Sequence, residues 1–252
     1  MSVADLLIAA GVALLAGGIN SIAGGGSLIL FPTLVALGLP TVAANVTNSV
    51  AQWPGYLGGV FGFRAQYAGQ RRRLVRLSVT AVLGGTAGSV LLLTTPSEAF
   101  DTVVPVLVLL ASLMLAVQPL VTTRLRARDT GDGEPRDPAW LYVAVFLATV
   151  YGGYFGGALG VILVAVLGLG LGRLKLANAI KSLISLVTAS VTVVVFGFFG
   201  PVQWEYVAVC APASLLGGYL GARVATKIPS TPLRVFIVVF GIAVAGYLFS
   251  RG

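Results

Sequence analysis

Asn45, Asn48, Ser49 and Gln52 follow the i, i+3, i+4, i+7 spacing of one helix face, with Thr47 beside them, in the stretch A-N-V-T-N-S-V-A-Q (residues 44–52). The residues around this stretch are almost all apolar. A second face of the same form carries Asn178, Lys181, Ser182 and Ser185. Amides, hydroxyls and an ammonium supply hydrogen-bond donors, and neither stripe contains a carboxylate. That donor set suits an oxyanion. Two glycine clusters fit the same chemistry. A-G-G-G-S (residues 23–27) includes Gly25, Gly26 and Ser27, and G-G-Y-F-G-G (residues 152–157) ends at Gly157; each precedes a short apolar run. Backbone N–H groups at the start of a helix attract anions.

The elements that must hold these groups follow from composition. Of 252 residues, 57% are hydrophobic and only 10% are charged. A soluble domain carries about 25% charged residues. This chain cannot cover a water-exposed surface with so few, so it reads as an integral membrane protein surrounded by a lipid bilayer. Histidine is absent and there is one cysteine, Cys210. The inventory therefore leaves out a disulfide within the chain, a metal cluster and a His-dependent catalytic triad. No cofactor is expected. The net charge is +8, but the basic residues lie between apolar runs without interleaved aromatics, which argues for topology signals and against nucleic-acid binding.

The apolar runs lie at about 3–22, 26–39, 42–63, 74–94, 101–121, 140–156, 158–172, 176–199, 206–226 and 233–250. A crossing takes about 20 residues. Most runs are long enough; 26–39 and 158–172 are short spans or halves of broken helices. The fold class expected is all-α and polytopic, with ten segments, two of them short. No base precedes Arg64, so the first run lacks the basic start of a signal peptide and is taken as a membrane segment. Arg64, Arg71, Arg72, Arg73 and Arg76 fall after the third run, and Arg124, Arg126, Arg128 and Arg136 after the fifth. Arg173, Lys175, Lys227 and Arg234 then fall on that same side of a ten-segment count. T-T-P-S-E-A-F-D (94–101) and G-P-V-Q-W-E (200–205) fall on the other side and carry no base. Both termini are thus expected outside, by the positive-inside rule. An eight-segment count would put Arg173 and Lys175 on the wrong side.

The one stretch of soluble character is 122–139, whose core T-G-D-G-E-P-R-D-P reads as a flexible cytoplasmic linker. It divides the chain into a first membrane repeat, 1–121, and a second, 140–252. Residues 24–97 and 157–230 align without a gap at an offset of 133, with 16 of 74 pairs identical. The matches cluster: Ala44-Asn45 with Ala177-Asn178, Ser49 with Ser182, Leu83-Gly84-Gly85 with Leu216-Gly217-Gly218, and Gly88 with Gly221. Five segments per half invert the second half relative to the first. That is the plan of secondary transporters, whose substrate sits near the midplane between the repeats. The small-xxx-small pairs Gly58/Gly62, Gly84/Gly88 and Gly217/Gly221 are read as helix packing.

Two readings compete for the stripes. Asn and Ser can simply bond between helices, at about 0.6 kcal/mol each. Lys181 fits that reading poorly, because an ionisable group inside a membrane marks a functional site; its closeness to the inner boundary makes snorkelling a rival. The stripes begin near opposite surfaces. They meet at one site only if the short runs dip in as broken helices.

The run A-G-G-G-S-L-I-L-F-P-T-L-V-A-L-G-L-P, followed by A-N-V-T-N-S and later by G-F-R and a basic loop, resembles the sulfite exporter TauE/SafE family. G-G-A-L-G-V-I-L-V and A-N-A-I-K-S are similar to that family's second repeat. The resemblance spans nearly the whole chain. It implies a bacterial or archaeal membrane transporter for sulfur-containing or related organic anions, placed in the cell membrane. Ile180 stands where the first motif has Thr47, so the implied site is asymmetric.

None of the eight carboxylates falls at an expected midplane; Asp101 and Glu205 sit near outer helix ends. A proton relay would need such groups in the membrane. The expectation is therefore an exporter, or a facilitator working with the membrane potential, for a small anion. Sodium coupling through backbone carbonyls, a channel and a homo-oligomer remain compatible with the sequence. An intramembrane enzyme would have to be built on a Ser–Lys pair at Lys181, and the missing bases and metal ligands count against it.

Overall fold

Polar backbone cannot face hydrocarbon, so a chain this apolar must close its own hydrogen bonds along each segment. The computed structural model, which describes residues 2–22, 25–129, 137–224 and 230–249, is built of helices accordingly. They are α1 (Val3–Ile22), α2 (Ser27–Ala36), α3 (Thr41–Gly62), α4 (Arg71–Thr94), α5 (Ser97–Ala127), α6 (Ala139–Tyr154), α7 (Leu159–Leu171), α8 (Leu174–Phe199), α9 (Trp204–Val224) and α10 (Ser230–Phe249), with a 3-10 turn over Arg64–Tyr67. By length and composition α1, α4, α5, α8 and α10 can each cross a membrane. The chain is a polytopic all-α membrane protein. Its surface is apolar: Phe198 is 81% exposed and Phe199 78%, whereas Asn45 and Thr47 are fully buried.

The short runs become short helices. At 1.5 Å per residue, α2 with 10 residues spans about 15 Å and α7 with 13 about 20 Å. Neither reaches through about 30 Å of hydrocarbon. The fifth run is longer than expected: α5 extends to Ala127, carrying Arg124 and Arg126 into what composition marks as linker. Residues 130–136, the core of that linker, lie outside the described residues, as do Ala23, Gly24, Lys227, Pro229 and Arg251. The side chains of Arg64 and Ser230 and the surroundings of Gly58 and Gly62 are also outside them.

The helix starts keep the register seen in the sequence. Thr41, Arg71 and Ser97 open α3, α4 and α5, and Leu174, Trp204 and Ser230, each 133 residues on, open α8, α9 and α10. The packing follows the same correspondence. α1 packs on α9, and α6 packs on α4; α3 meets α9 as α8 meets α4; α3 pairs with α8 and α5 with α10. The first helix of each half is thus held by the fourth helix of the other. Glycine makes both of these contacts. A Cβ on Gly217 would strike the Leu14 carbonyl, and one on Gly88 would strike the Val150 carbonyl. Small residues let backbones approach where burial in lipid gives no hydrophobic drive.

The bundle has a basic end and an opposite end. Arg71, Arg73 and Arg76 open α4 at the basic end, and Arg124 and Arg126 close α5 there. The connections at this end are tied by Arg73 to Asp137 at 2.9 Å, by the Leu174 N–H donating to Asp129 at 3.2 Å, and by the Tyr67 hydroxyl donating to the Ala179 carbonyl at 3.1 Å. At the opposite end the Thr41 hydroxyl donates to Asp101, joining the starts of α3 and α5. Consequently α3 runs toward the basic end and its counterpart α8 runs away from it.

Candidate functional site

A cavity of about 680 Å³ lies toward the basic end of the bundle, with Phe63, Gln118 and Arg234 in its lining. One of its walls is the start of the two short helices, through Gly25 and Ser27 of the α2 lead-in and Ala158, Leu159 and Gly160 of α7. The backbone turns sharply before each: φ is +88° at Gly25, +77° at Gly156 and +59° at Ala158. Ala158 is the one non-glycine residue with positive φ among the described residues. That conformation costs an L-residue about 1–2 kcal/mol, and here it points the first turn of α7 into the cavity. The leading N–H groups of a helix have no partner within it and carry partial positive charge.

Five of the sequence-predicted residues line this cavity: Gly25, Ser27, Asn178, Lys181 and Ser182; Ser185 lines it too. Two of the α8 donors are committed to their own helix. The Asn178 amide donates to the Leu174 carbonyl at 3.0 Å, and the Ser182 hydroxyl donates to the Asn178 carbonyl at 3.1 Å rather than to Lys181. Lys181 has no hydrogen-bond or ion-pair partner among the described residues. Its stem runs beside the start of α7: a Cβ on Gly160 would lie 3.8 Å from Lys181 Cδ. This puts the side chain against the first turn of a short helix.

The α3 stripe has a different surrounding. Asn45, Thr47, Asn48, Ser49 and Gln52 do not line the cavity; Asn48 and Gln52 are each 1% exposed. The Asn45 amide donates to the Tyr154 carbonyl at 2.9 Å, locking α3 to the end of α6. Thr47 accepts the Gln203 N–H at 3.0 Å, and the Ser49 hydroxyl donates to the Asn45 carbonyl at 2.9 Å. Gln52 donates to Asn48 at 2.7 Å and to Ser27 at 3.0 Å, and accepts from Asn20 at 3.4 Å. Gln52 therefore braces two cavity-lining residues from behind. Gly26 leaves room for it, because a Cβ there would strike the Ala16 carbonyl and sit 3.1 Å from Gln52 Oε1. Gly157 is a packing position: a Cβ would meet the Phe155 ring at 2.7 Å and Ala111 at 3.3 Å. The two stripes do not meet in one site.

Sequence reasoning did not single out Asn20, Tyr56, Gln118 or Arg234, all of which line the cavity. Arg234 had been counted only as a topology charge. Its Nε and the Gln118 Oε1 are buried without a hydrogen-bond partner among the described residues. The signal for Arg234 was its place one turn into α10, where the corresponding residue of α5, 133 positions earlier, is Asp101. Among the described residues the cavity lining presents two cationic side chains, several hydroxyl and amide groups and two helix starts, and no carboxylate. Chemically it can hold a desolvated anion.

Comparison with known proteins identifies the family. Residues 9–248 match the family model described as sulfite exporter TauE/SafE. The chain is 28% identical over 232 residues to a probable membrane transporter protein of Haemophilus influenzae, covering 90% of this chain and 88% of that one. It is 27% identical over 238 residues to the probable membrane transporter protein YfcA of Escherichia coli K12, covering 90% and 83%. It is 26% identical over 246 residues to a probable membrane transporter protein, ORF9, of a Sinorhizobium species, covering 92% and 88%. The match extends from α1 to α10, and the chain belongs to the sulfite exporter TauE/SafE family of membrane transporters.

Proposed function

We propose that the chain is a secondary carrier that exports small sulfur-containing or organic anions across the cytoplasmic membrane of a prokaryote, with its basic end in the cytoplasm. The observation that carries this reading is Lys181, which among the described residues meets neither a partner nor a carboxylate in the cavity and is set against the start of a short helix. A half-buried ammonium in a lipid-enclosed cavity gains by having a counter-ion visit it. The positive-inside distribution supports the orientation, and the repeated helix starts and mirrored packing support an inverted repeat.

Two access states then follow from one fold. The cavity bordered by the α8 stripe is the inward-facing state. In the outward-facing state the α3 stripe, now closed by Asn45–Tyr154 and Thr47–Gln203 bonding, would take the same role toward the opposite end. An inside-negative potential favours exit of an anion by about 2.3 kcal/mol per charge at 100 mV, about 50-fold. The test is flux of radiolabelled sulfite, methanesulfonate and succinate from proteoliposomes. The carrier reading expects saturable movement of at least one of them, chemically unchanged and accelerated by an interior-negative potential. Flux that rises without saturation would replace the carrier with a channel.

A further inference from the structure

The two halves are alike in helix starts and packing but unlike in charge at the positions that matter to an anion. By the 133-residue register, Lys181 of α8 corresponds to Asn48 of α3, and Arg234 of α10 corresponds to Asp101 of α5. Lys181 and Arg234 both line the cavity toward the basic end, and neither faces a carboxylate there. Arg234 Nε is buried without a partner among the described residues. Asn48 is neutral and accepts from Gln52, and Asp101 stands at the start of α5, accepting from Thr41 at the start of α3.

We infer that Lys181, Arg234, Asn48 and Asp101 make the carrier sided, with high affinity for its anion from the basic end and low affinity from the opposite end. The inference rests on the carrier reading above. When the α3 stripe takes over from the α8 stripe, the repeat-related positions place Asn48 and Asp101 where Lys181 and Arg234 stood. Two cations are exchanged for one neutral amide and one carboxylate. An anion held firmly while the cavity faces the basic end is then held loosely and leaves. Affinity alone cannot set the direction of net transport, because an uncoupled carrier without a potential must have equal Vmax/KM at its two faces. The asymmetry instead suits loading from a low concentration on the basic side and release into a higher one. The ligand class is an anion with one or more unshielded oxyanion groups, since charge is what distinguishes the two faces.

The experiment uses the full chain in oriented proteoliposomes with the potential clamped at zero, and radiolabelled sulfite, methanesulfonate and succinate as probes. KM is measured from each face. The expected KM is about 100-fold lower at the basic face, the order expected for changed charge contacts at a desolvated site. Vmax/KM should be the same at both faces. Asp101→Asn, at an exposed position that tolerates an amide, should shrink the KM ratio about 5-fold, and Arg234→Gln should shrink it about 10-fold. A side chain with only a structural role would shift both KM values together and leave the ratio unchanged. Equal KM values at the two faces of the wild type, or a ratio untouched by both variants, overturns the inference and leaves the carrier intact. Absence of saturable flux for all three anions overturns the carrier reading and this inference with it.

Discussion

The stripes on α3 and α8 begin as the same motif, Ala-Asn with a serine four residues after the Asn, yet they have different surroundings. On α8 the stripe borders a cavity and leaves its one charged member unpartnered. On α3 three of the side chains are spent on other elements, Asn45 on α6, Thr47 on the segment before α9 and Gln52 on α1 and α2, while Asn48 and Ser49 bond within α3. A polar group in a membrane needs either a partner or access to water. The α3 stripe meets that rule mostly by bonding, with the Asn45 Oδ1 left buried and without a partner among the described residues, and the α8 stripe meets it by bordering a cavity. The difference teaches that two stripes of the same motif can be placed differently by their tertiary surroundings, one against a cavity and one against other helices.

The sharpest way to break the comparison is to remove the charge on one side. Lys181→Ala should lower anion flux about 100-fold, equivalent to about 2.7 kcal/mol, while the folded protein still inserts; unchanged flux would return Lys181 to snorkelling. Next come the glycines that hold the halves together. Gly88→Leu and Gly217→Leu should each destabilise by about 2 kcal/mol, to a similar degree, because each collides with a backbone carbonyl of the other half. Thermal unfolding in detergent that found one variant harmless and the other severe would contradict the mirrored packing. Lys181→Met should raise stability without substrate by about 1 kcal/mol, since a half-buried ammonium that meets no counter-ion among the described residues gives up part of its hydration; a drop in midpoint temperature would mean that the ammonium has a structural partner. Smallest is the latch on α3. Asn45→Ala leaves the Tyr154 carbonyl without its donor and should shift the conformational balance toward the opposite end by about 1 kcal/mol, about 5-fold. Equal labelling of both faces before and after the substitution would remove Asn45 from the closure.

Much of this was legible before the fold was known. Low charge dictated the membrane class, the two glycine-led short runs became α2 and α7, and the 133-residue register recurs in the helix starts. Three things were not legible. The length of α5 was underestimated because hydropathy stops at the arginines, whereas helical hydrogen bonding continues through them to Ala127. Arg234 looked like one more boundary charge, since sequence shows which end of a helix a base is near but not which face it takes. Which stripe borders the cavity follows from tertiary packing, which the motif itself does not carry. Asn45 and Asn178 have the same preceding neighbour, Ala44 or Ala177; what distinguishes them is that Asn45 reaches the Tyr154 carbonyl of α6, whereas Asn178 bonds back to Leu174 within α8.

The central claim is that the α3 and α8 stripes take turns facing water. Ser49 and Ser182 are repeat-related and can each become the single thiol in a Cys210→Ser background, Cys210 itself being buried. The measurement is labelling of Ser49→Cys and Ser182→Cys by a membrane-impermeant maleimide applied to one face at a time, with and without Asn45→Ala. The account predicts that Ser182→Cys labels only from the basic face and Ser49→Cys only from the opposite face, and that Asn45→Ala slows the first while speeding the second. Labelling of both thiols from the same face, or rates that rise and fall together, would contradict it.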